Sequence, residues 1–219
     1  YKSSRNKIDY YIMKSYVITI MDNPDSVRAA ERCIASMPEY NVQMFPAITP
    51  KDNPVRIAQQ RGIPIDNFKE VYSRFENCLS AFLSHNTLWE MCVKDKEEYQ
   101  IFEHDAVAVS PIPKFINHNG CISLGKPSYG KHNQPLSLGV NNLISKAYFP
   151  GAHAYRLKPR AASSIIESAK MYARPTDVFL NLDLFPWLQE YYPWPVEARD
   201  TFTTIQNERG CGAKHNYSE

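Results

Sequence analysis

Hydrophobic positions recur along the chain with two periods, and the alternation between them predicts an α/β protein. Residues 16–21, YVITIM, form a continuous apolar run with β-branched members, the pattern of a strand buried on both faces of a parallel sheet. The run stops at the turn cluster Asp22-Asn23-Pro24-Asp25. Asp25 or Ser26 is expected to cap the helix that follows. There Val27, Ala30, Ile34 and Met37 repeat at helical spacing until Pro38 ends the pattern. Residues 42–48, VQMFPAI, read as a second strand broken at Pro46. A βαβ opening of this kind implies a parallel sheet with helical crossovers.

Further along, residues 49–72 are polar and proline-rich, a loop with short helical pieces placed over a site. Residues 74–94 give the clearest helix, with Phe75, Leu79, Phe82, Trp89, Cys92 and Val93 near one face. Residues 99–109, YQIFEHDAVAV, read as strand, acidic turn, strand. Strands are also predicted over 121–125 and 153–157, a loop over 126–150, and a helix over 160–172 from Ala161, Ile165, Ala169 and Tyr172. The predicted fold is thus a single Rossmann-like α/β domain, a mostly parallel central sheet flanked by helices. It spans 13–206, between a foreign or weakly ordered leader over 1–12 and a polar tail over 207–219. Met13, just before the first strand, reads as a native start.

Composition narrows the chemistry by exclusion. The 219 residues carry 25 basic and 23 acidic side chains, a net charge of +2, so no general electrostatic footprint for nucleic acid exists. No apolar run approaches the ~18 residues of a membrane span, which argues against integral membrane association. The five cysteines include no C-x-x-C pair. Together with the lack of an export signal they predict reduced thiols in the cytoplasm, host cytoplasm if the source is viral. With only 8 glycines the chain has neither G-x-G-x-x-G nor G-x-x-x-x-G-K-[ST], which excludes a dinucleotide-binding dehydrogenase and a P-loop NTPase.

The sharpest chemical feature is Phe102-Glu103-His104-Asp105 at the end of a buried strand. Extended backbone places Glu103 and Asp105 on one face, where paired carboxylates suit a hard divalent cation that keeps waters and bridges phosphates. The other reading is a solvated acidic turn. Ser84-His85, in the strong helix, could orient a substrate hydroxyl or belong to the core. Arg156, Lys158 and Arg160 alternate and would share a face, for phosphate contact or as the charged edge of a sheet. Asp177 reads as a helix cap or as a general base. Trp187, Tyr191, Tyr192 and Trp194 would stack on a sugar or base, or pack in the core.

In order along the chain stand Val17-Ile18-Thr19-Ile20, a helix bearing Arg28, Leu83-Ser84-His85 with Leu88-Trp89, and Ile101-Phe102-Glu103-His104-Asp105-Ala106-Val107. After them come Gly151-Ala152-His153-Ala154-Tyr155 with Ala161-Ala162, then Pro175-Thr176-Asp177-Val178-Phe179-Leu180, Pro195-Val196 and Thr203-Thr204-Ile205. This series resembles glycosyltransferase family 25, the lipooligosaccharide galactosyltransferase-like group, over about residues 14–205. The family pattern runs V-I-N-L, L-S-H-x-x-L-W, L-E-D-D-V, A-Y-x-I-S and P-x-D. The resemblance implies a GT-A fold and a nucleoside-diphosphate sugar donor, UDP-sugar favoured, with Thr19, Arg28, Ser84, Glu103, His104 and Asp105 around it. It implies a divalent metal at Glu103 and Asp105, with His104 either a third ligand or turned into the protein. His104 replaces the middle Asp of E-D-D, and its softer nitrogen would favour Mn²⁺ over Mg²⁺. Thr19 stands where the family has Asn. Asp177 and His85 take the catalytic positions; His153, Arg156 and Lys158 would meet acceptor or phosphates.

The implied activity is transfer of a sugar to an acceptor hydroxyl, in a glycan or in a hydroxymethylated base of viral DNA. The competing reading is a non-catalytic module binding nucleotide sugar or nucleic acid on the same scaffold.

Overall fold

The computed structural model describes residues 13–70, 73–199 and 203–206. The expected leader over 1–12 and tail over 207–219 lie outside the described residues. The strands are β1 (Lys14–Thr19), β2 (Val42–Pro46), β3 (Tyr99–Glu103), β4 (Ala106–Ala108), β5 (Cys121–Ser123), β6 (Gly139–Asn142), β7 (Ala154–Leu157), β8 (Gln189–Tyr192) and β9 (Val196–Ala198). The helices are α1 (Pro24–Ala35), α2 (Pro54–Arg61), α3 (Phe75–Asp95), α4 (Pro159–Tyr172) and the single turn α5 (Thr176–Phe179).

Among the described residues, seven strands form one sheet in the order β2-β1-β3-β7-β5-β8-β6, while β4 and β9 make a small antiparallel pair. β1 is parallel to both β2 and β3, and β5 is parallel to β8. Only β7 and β6 run against the other five. The sheet is therefore mostly parallel, as the βαβ opening predicts.

Strand parity sorts the core into two layers. Tyr16, Ile18, Tyr99, Ile101, Cys121, Tyr155 and Leu157 face α3 and α4. Their neighbours Val17, Phe102, Ile122 and Ala154 face α1, with Ala30, Cys33 and Met37. Side chains that alternate at period two, each buried on its own face, explain why these strands read as continuous apolar runs. Glu103 follows Ile101 by two and so inherits the α3 side.

Several local expectations are corrected. Asn23, not Asp25 or Ser26, caps α1: its Oδ1 accepts from the Asp25 amide at 2.9 Å and the Ser26 amide at 3.3 Å. Pro24 occupies the first helical turn, where its missing N–H costs nothing, so the cap falls one residue before it. Within the loop expected over 126–150, β6 forms the sheet edge beside β8. Its GVNN sequence carries almost no strand propensity and is ordered by the ladder alone.

The basic face expected of Arg156, Lys158 and Arg160 does not exist. Arg156 lies on β7, an interior strand, and is 0% exposed. Its guanidinium donates to Gln100 Oε1 (2.8 Å), Pro113 O (2.7 Å), Lys114 O (3.2 Å) and Tyr40 Oη (2.9 Å). Lys158 sits at the N-terminus of α4 and donates to His118 O at 2.6 Å. Strand gives way to helix at Pro159, so the alternation behind the shared-face reading stops there.

Candidate active site

The carboxyl ends of β1 and β3 open onto a cleft of about 960 Å³. Ligands in open α/β sheets collect at such strand ends. β1 delivers Ile18 and Ile20, the loop after β2 delivers Ile48 to Lys51, α3 delivers Ser84 and His85, β3 and its turn deliver Glu103, His104 and Asp105, and α5 delivers Asp177. Six of the residues read from sequence as site residues thus converge on one wall system.

A buried relay fixes Glu103. Trp89 Nε1–H donates to Tyr155 Oη at 2.8 Å, and Tyr155 Oη lies 2.8 Å from His85 Nδ1. His85 Nε2 lies 3.0 Å from Glu103 Oε1. Burial holds the Tyr155 phenol far above its ordinary proton affinity, so it stays protonated and donates to Nδ1. That leaves the proton on Nε2, pointing at the Glu103 carboxylate. One tautomer satisfies Trp89 Nε1, Tyr155 Oη, both His85 nitrogens and Glu103 Oε1. His85 is 1% exposed and stands behind Glu103, where it orients the carboxylate.

Ser84 is engaged at both ends. Its hydroxyl donates to Ser80 O at 2.9 Å and accepts from the Ile48 amide at 2.9 Å, latching the post-β2 loop to α3. His104 turns its Nδ1 to Ser26 Oγ at 3.0 Å, and that same hydroxyl accepts from the Ile20 amide at 2.9 Å. Ser26 therefore ties the end of β1 to the acidic turn. β3 ends at Glu103, so Asp105 reaches the cleft from a turn and not along a continuous strand face. Its carbonyl accepts from the Arg199 amide at 2.9 Å, which pins the turn from the β9 side.

Asp177 sits in the first turn of α5 and accepts a hydrogen bond from Tyr129 Oη. Burial raises its proton affinity above the usual carboxylate range, and the charge of Glu103 adds to this. The Tyr129 hydroxyl and the amides of Val178 and Gly151 act in the other direction. The result is a carboxylate more basic than one in water, as a group that must accept a proton requires.

Four other expected site residues lie off the cleft, besides Arg156. Thr19 is buried and donates to Val17 O at 3.0 Å, while its neighbours Ile18 and Ile20 do line the cleft. Arg28 is exposed on the outer face of α1, paired with Asp25. Lys158 serves the turn at His118. His153 is buried between Gly125 and Gly151. A Cβ on Gly125 would stand 2.3 Å from its Nε2, so glycine is required for this packing.

Sequence reading also missed residues that the structure brings in. Tyr129 lies in a segment without periodicity. Lys51, paired with Asp22, and Arg74 reach the cleft from loop and helix start. Residues 203–206 cross its mouth, the Arg74 amide donating to Ile205 O at 2.7 Å and Ser73 pairing with Gln206.

Among the described residues, no three His, Cys, Asp or Glu side chains form a ready-made metal cage. Glu103 and Asp105 both line the cleft, and carboxylates are the ligand type that a hard cation takes.

A single α/β domain with a carboxylate-lined cleft at the carboxyl ends of its strands has the architecture of an α/β glycosyltransferase. Residues 13–135 match the family described as glycosyltransferase family 25 (LPS biosynthesis protein), and the chain belongs to that family. No curated protein matches the chain. No helix among the described residues is long and apolar enough to cross a membrane.

Proposed function

We propose that the protein transfers a sugar from a nucleoside-diphosphate donor, a UDP-sugar by preference, to a hydroxyl of a glycan, with a divalent cation held at Glu103 and Asp105. The observation that carries this reading is the charge of the cleft. Among the described residues, Asp22, Glu70, Glu103, Asp105 and Asp177 line it against Lys51 and Arg74. Such a surface repels a bare diphosphate, so a donor of that charge needs a cation between it and the carboxylates. When bound, the cation neutralises the charge that develops on the leaving diphosphate. His104 turns its Nδ1 to Ser26, so a nitrogen ligand from it would come through Nε2, and both Mn²⁺ and Mg²⁺ enter the test.

In the reaction the bond from the sugar's anomeric carbon to the diphosphate oxygen breaks. A bond from the acceptor oxygen to that carbon forms. The acceptor's proton passes to Asp177, whose burial suits it to take one. His85 holds Glu103 in place, and Tyr129 holds Asp177.

The same charge balance favours a glycan acceptor over DNA. A DNA acceptor needs cations for its phosphates. Of the cluster Arg156, Lys158 and Arg160, the first two are bonded inside the protein. In transfer assays, free glycan acceptors are expected to be used with rates that change little with salt. Activity on hydroxymethylated DNA that falls steeply with salt would reverse the assignment. Absence of both transfer and donor hydrolysis would favour the non-catalytic module.

A further inference from the structure

An apolar protrusion stands beside the cleft and takes no part in it. Leu136 is 100% exposed, Leu138 78% and Ile144 45%. Exposed aliphatic side chains grouped in this way mark a contact surface more often than chance. The loop that bears them is tied down. The Asn133 amide donates to Ser145 O at 3.0 Å and its side chain to Ile144 O at 3.2 Å. Gln134 bonds to Tyr192 Oη, and Ser137 Oγ donates to Asn141 Oδ1 at 2.6 Å. Pro135 is buried. The leucines are therefore presented by a fixed turn.

Its position follows from the register. Gly139 of β6 pairs with Tyr192, the last residue of β8. β8 runs with β5, and through the antiparallel β7 both share the direction of β1 and β3. The loop before β6 thus projects from the end of the sheet where the cleft opens. The same stretch of chain supplies Ser128, Tyr129 and Tyr148 to the cleft wall.

The surroundings point to the occupant. From Lys126 to Lys146 the chain has three lysines and no aspartate or glutamate. The nearby Glu190 is 1% exposed and bonded to the amides of Ile144 and Ser145 and to Trp194 Nε1. At the base of the loop, Trp194 packs edge-on against Tyr192 and His132. Lys126 pairs with the buried Glu197 and Lys146 lies over the Tyr129 and Tyr148 rings, while Lys131 stands exposed on the loop. Aliphatic tips, a base of Trp and Tyr, and an exposed lysine with no acid in the same stretch of sequence are the composition of a membrane-interface contact. We propose that this loop docks the cleft-bearing end of the sheet onto an anionic lipid surface, a peripheral contact that leaves the chain outside the bilayer core.

The test is co-sedimentation of the full chain with vesicles of phosphatidylglycerol and phosphatidylcholine, against vesicles of phosphatidylcholine alone. The wild type is expected to bind the anionic vesicles and to release them as salt rises. Leu136→Asp/Leu138→Asp is expected to lose at least about tenfold in binding with an unchanged thermal midpoint, since both side chains face solvent. Lys131→Glu is expected to weaken binding to the anionic vesicles only. Equal binding by wild type and double variant overturns the proposal, as does no binding by the wild type. A wild type that self-associates in sedimentation velocity, with the double variant monomeric and neither binding vesicles, would assign the surface to a second copy. The readout is independent of glycosyl transfer, so it stands or falls apart from the proposed activity.

Discussion

Glu103→Ala and Asp105→Ala are each expected to lower turnover by about 10²–10³-fold while the fold survives. The loss follows from removing one of the two carboxylates proposed to hold the cation at the leaving diphosphate, a contribution on the scale of a preorganised electrostatic contact. The cost to stability is small for separate reasons at each site. Loss of the Glu103 carboxylate leaves His85 Nε2 without its acceptor, about 1–2 kcal/mol. Asp105 is anchored through its backbone carbonyl, which alanine keeps. Initial rates at saturating donor, measured beside urea midpoints, check both statements. Turnover within a few-fold of wild type in either variant would remove that carboxylate from the reaction.

Arg156→Ala is expected to do the reverse, destabilising the fold by on the order of 3–5 kcal/mol with activity per folded molecule retained. The guanidinium fills the space between β7, β3 and the 112–114 turn. Its loss strands Gln100 Oε1 in a buried layer and removes the partly buried hydrogen bonds to the Pro113 and Lys114 carbonyls. Each abandoned acceptor pays desolvation without a partner. Equilibrium unfolding, with rates corrected for the folded fraction, separates the two effects. A variant of normal stability with a raised KM for donor would show that Arg156 contacts substrate after all.

These two predictions sit on opposite sides of what the sequence makes legible. The alternating strands, α3 and the acidic turn can be read because period-two and period-3.6 patterns report which face is buried. The ordered motifs from Val17 to Ile205 then bring Ser84, His85, Glu103, His104, Asp105 and Asp177 to one cleft. The role of Arg156 is not legible, because the alternation Arg156-Lys158-Arg160 looks the same whether β7 is an exposed edge or an interior strand. Only the position of β7 between β3 and β5 shows that Arg156 must be satisfied internally.

Other features were illegible for similar reasons. β6 has no propensity signal and exists because β8 offers an open ladder. Tyr129 meets Asp177 across 48 residues of sequence, and no local spacing encodes a contact of that length. The orientation of His104 depends on Ser26, a residue of α1 that the sequence offered only as a cap. The relay from Trp89 through Tyr155 and His85 to Glu103 joins two motifs that were read separately, L-S-H-x-x-L-W and A-Y. Their association explains why a histidine in a core helix sits next to a carboxylate of the cleft.

The proposed binding of a diphosphate by Glu103 and Asp105 through a divalent cation is open to direct measurement. The most direct measurement is the thermal midpoint of the full chain with UDP, with Mn²⁺ or Mg²⁺, and with both together. UDP plus cation is expected to stabilise the wild type, by about 2.7 kcal/mol at a hundredfold excess over Kd. Neither alone should do so, and Asp105→Ala should abolish the effect. A midpoint that no nucleotide moves in the presence of either cation, or a UDP shift that survives chelator, would contradict the account.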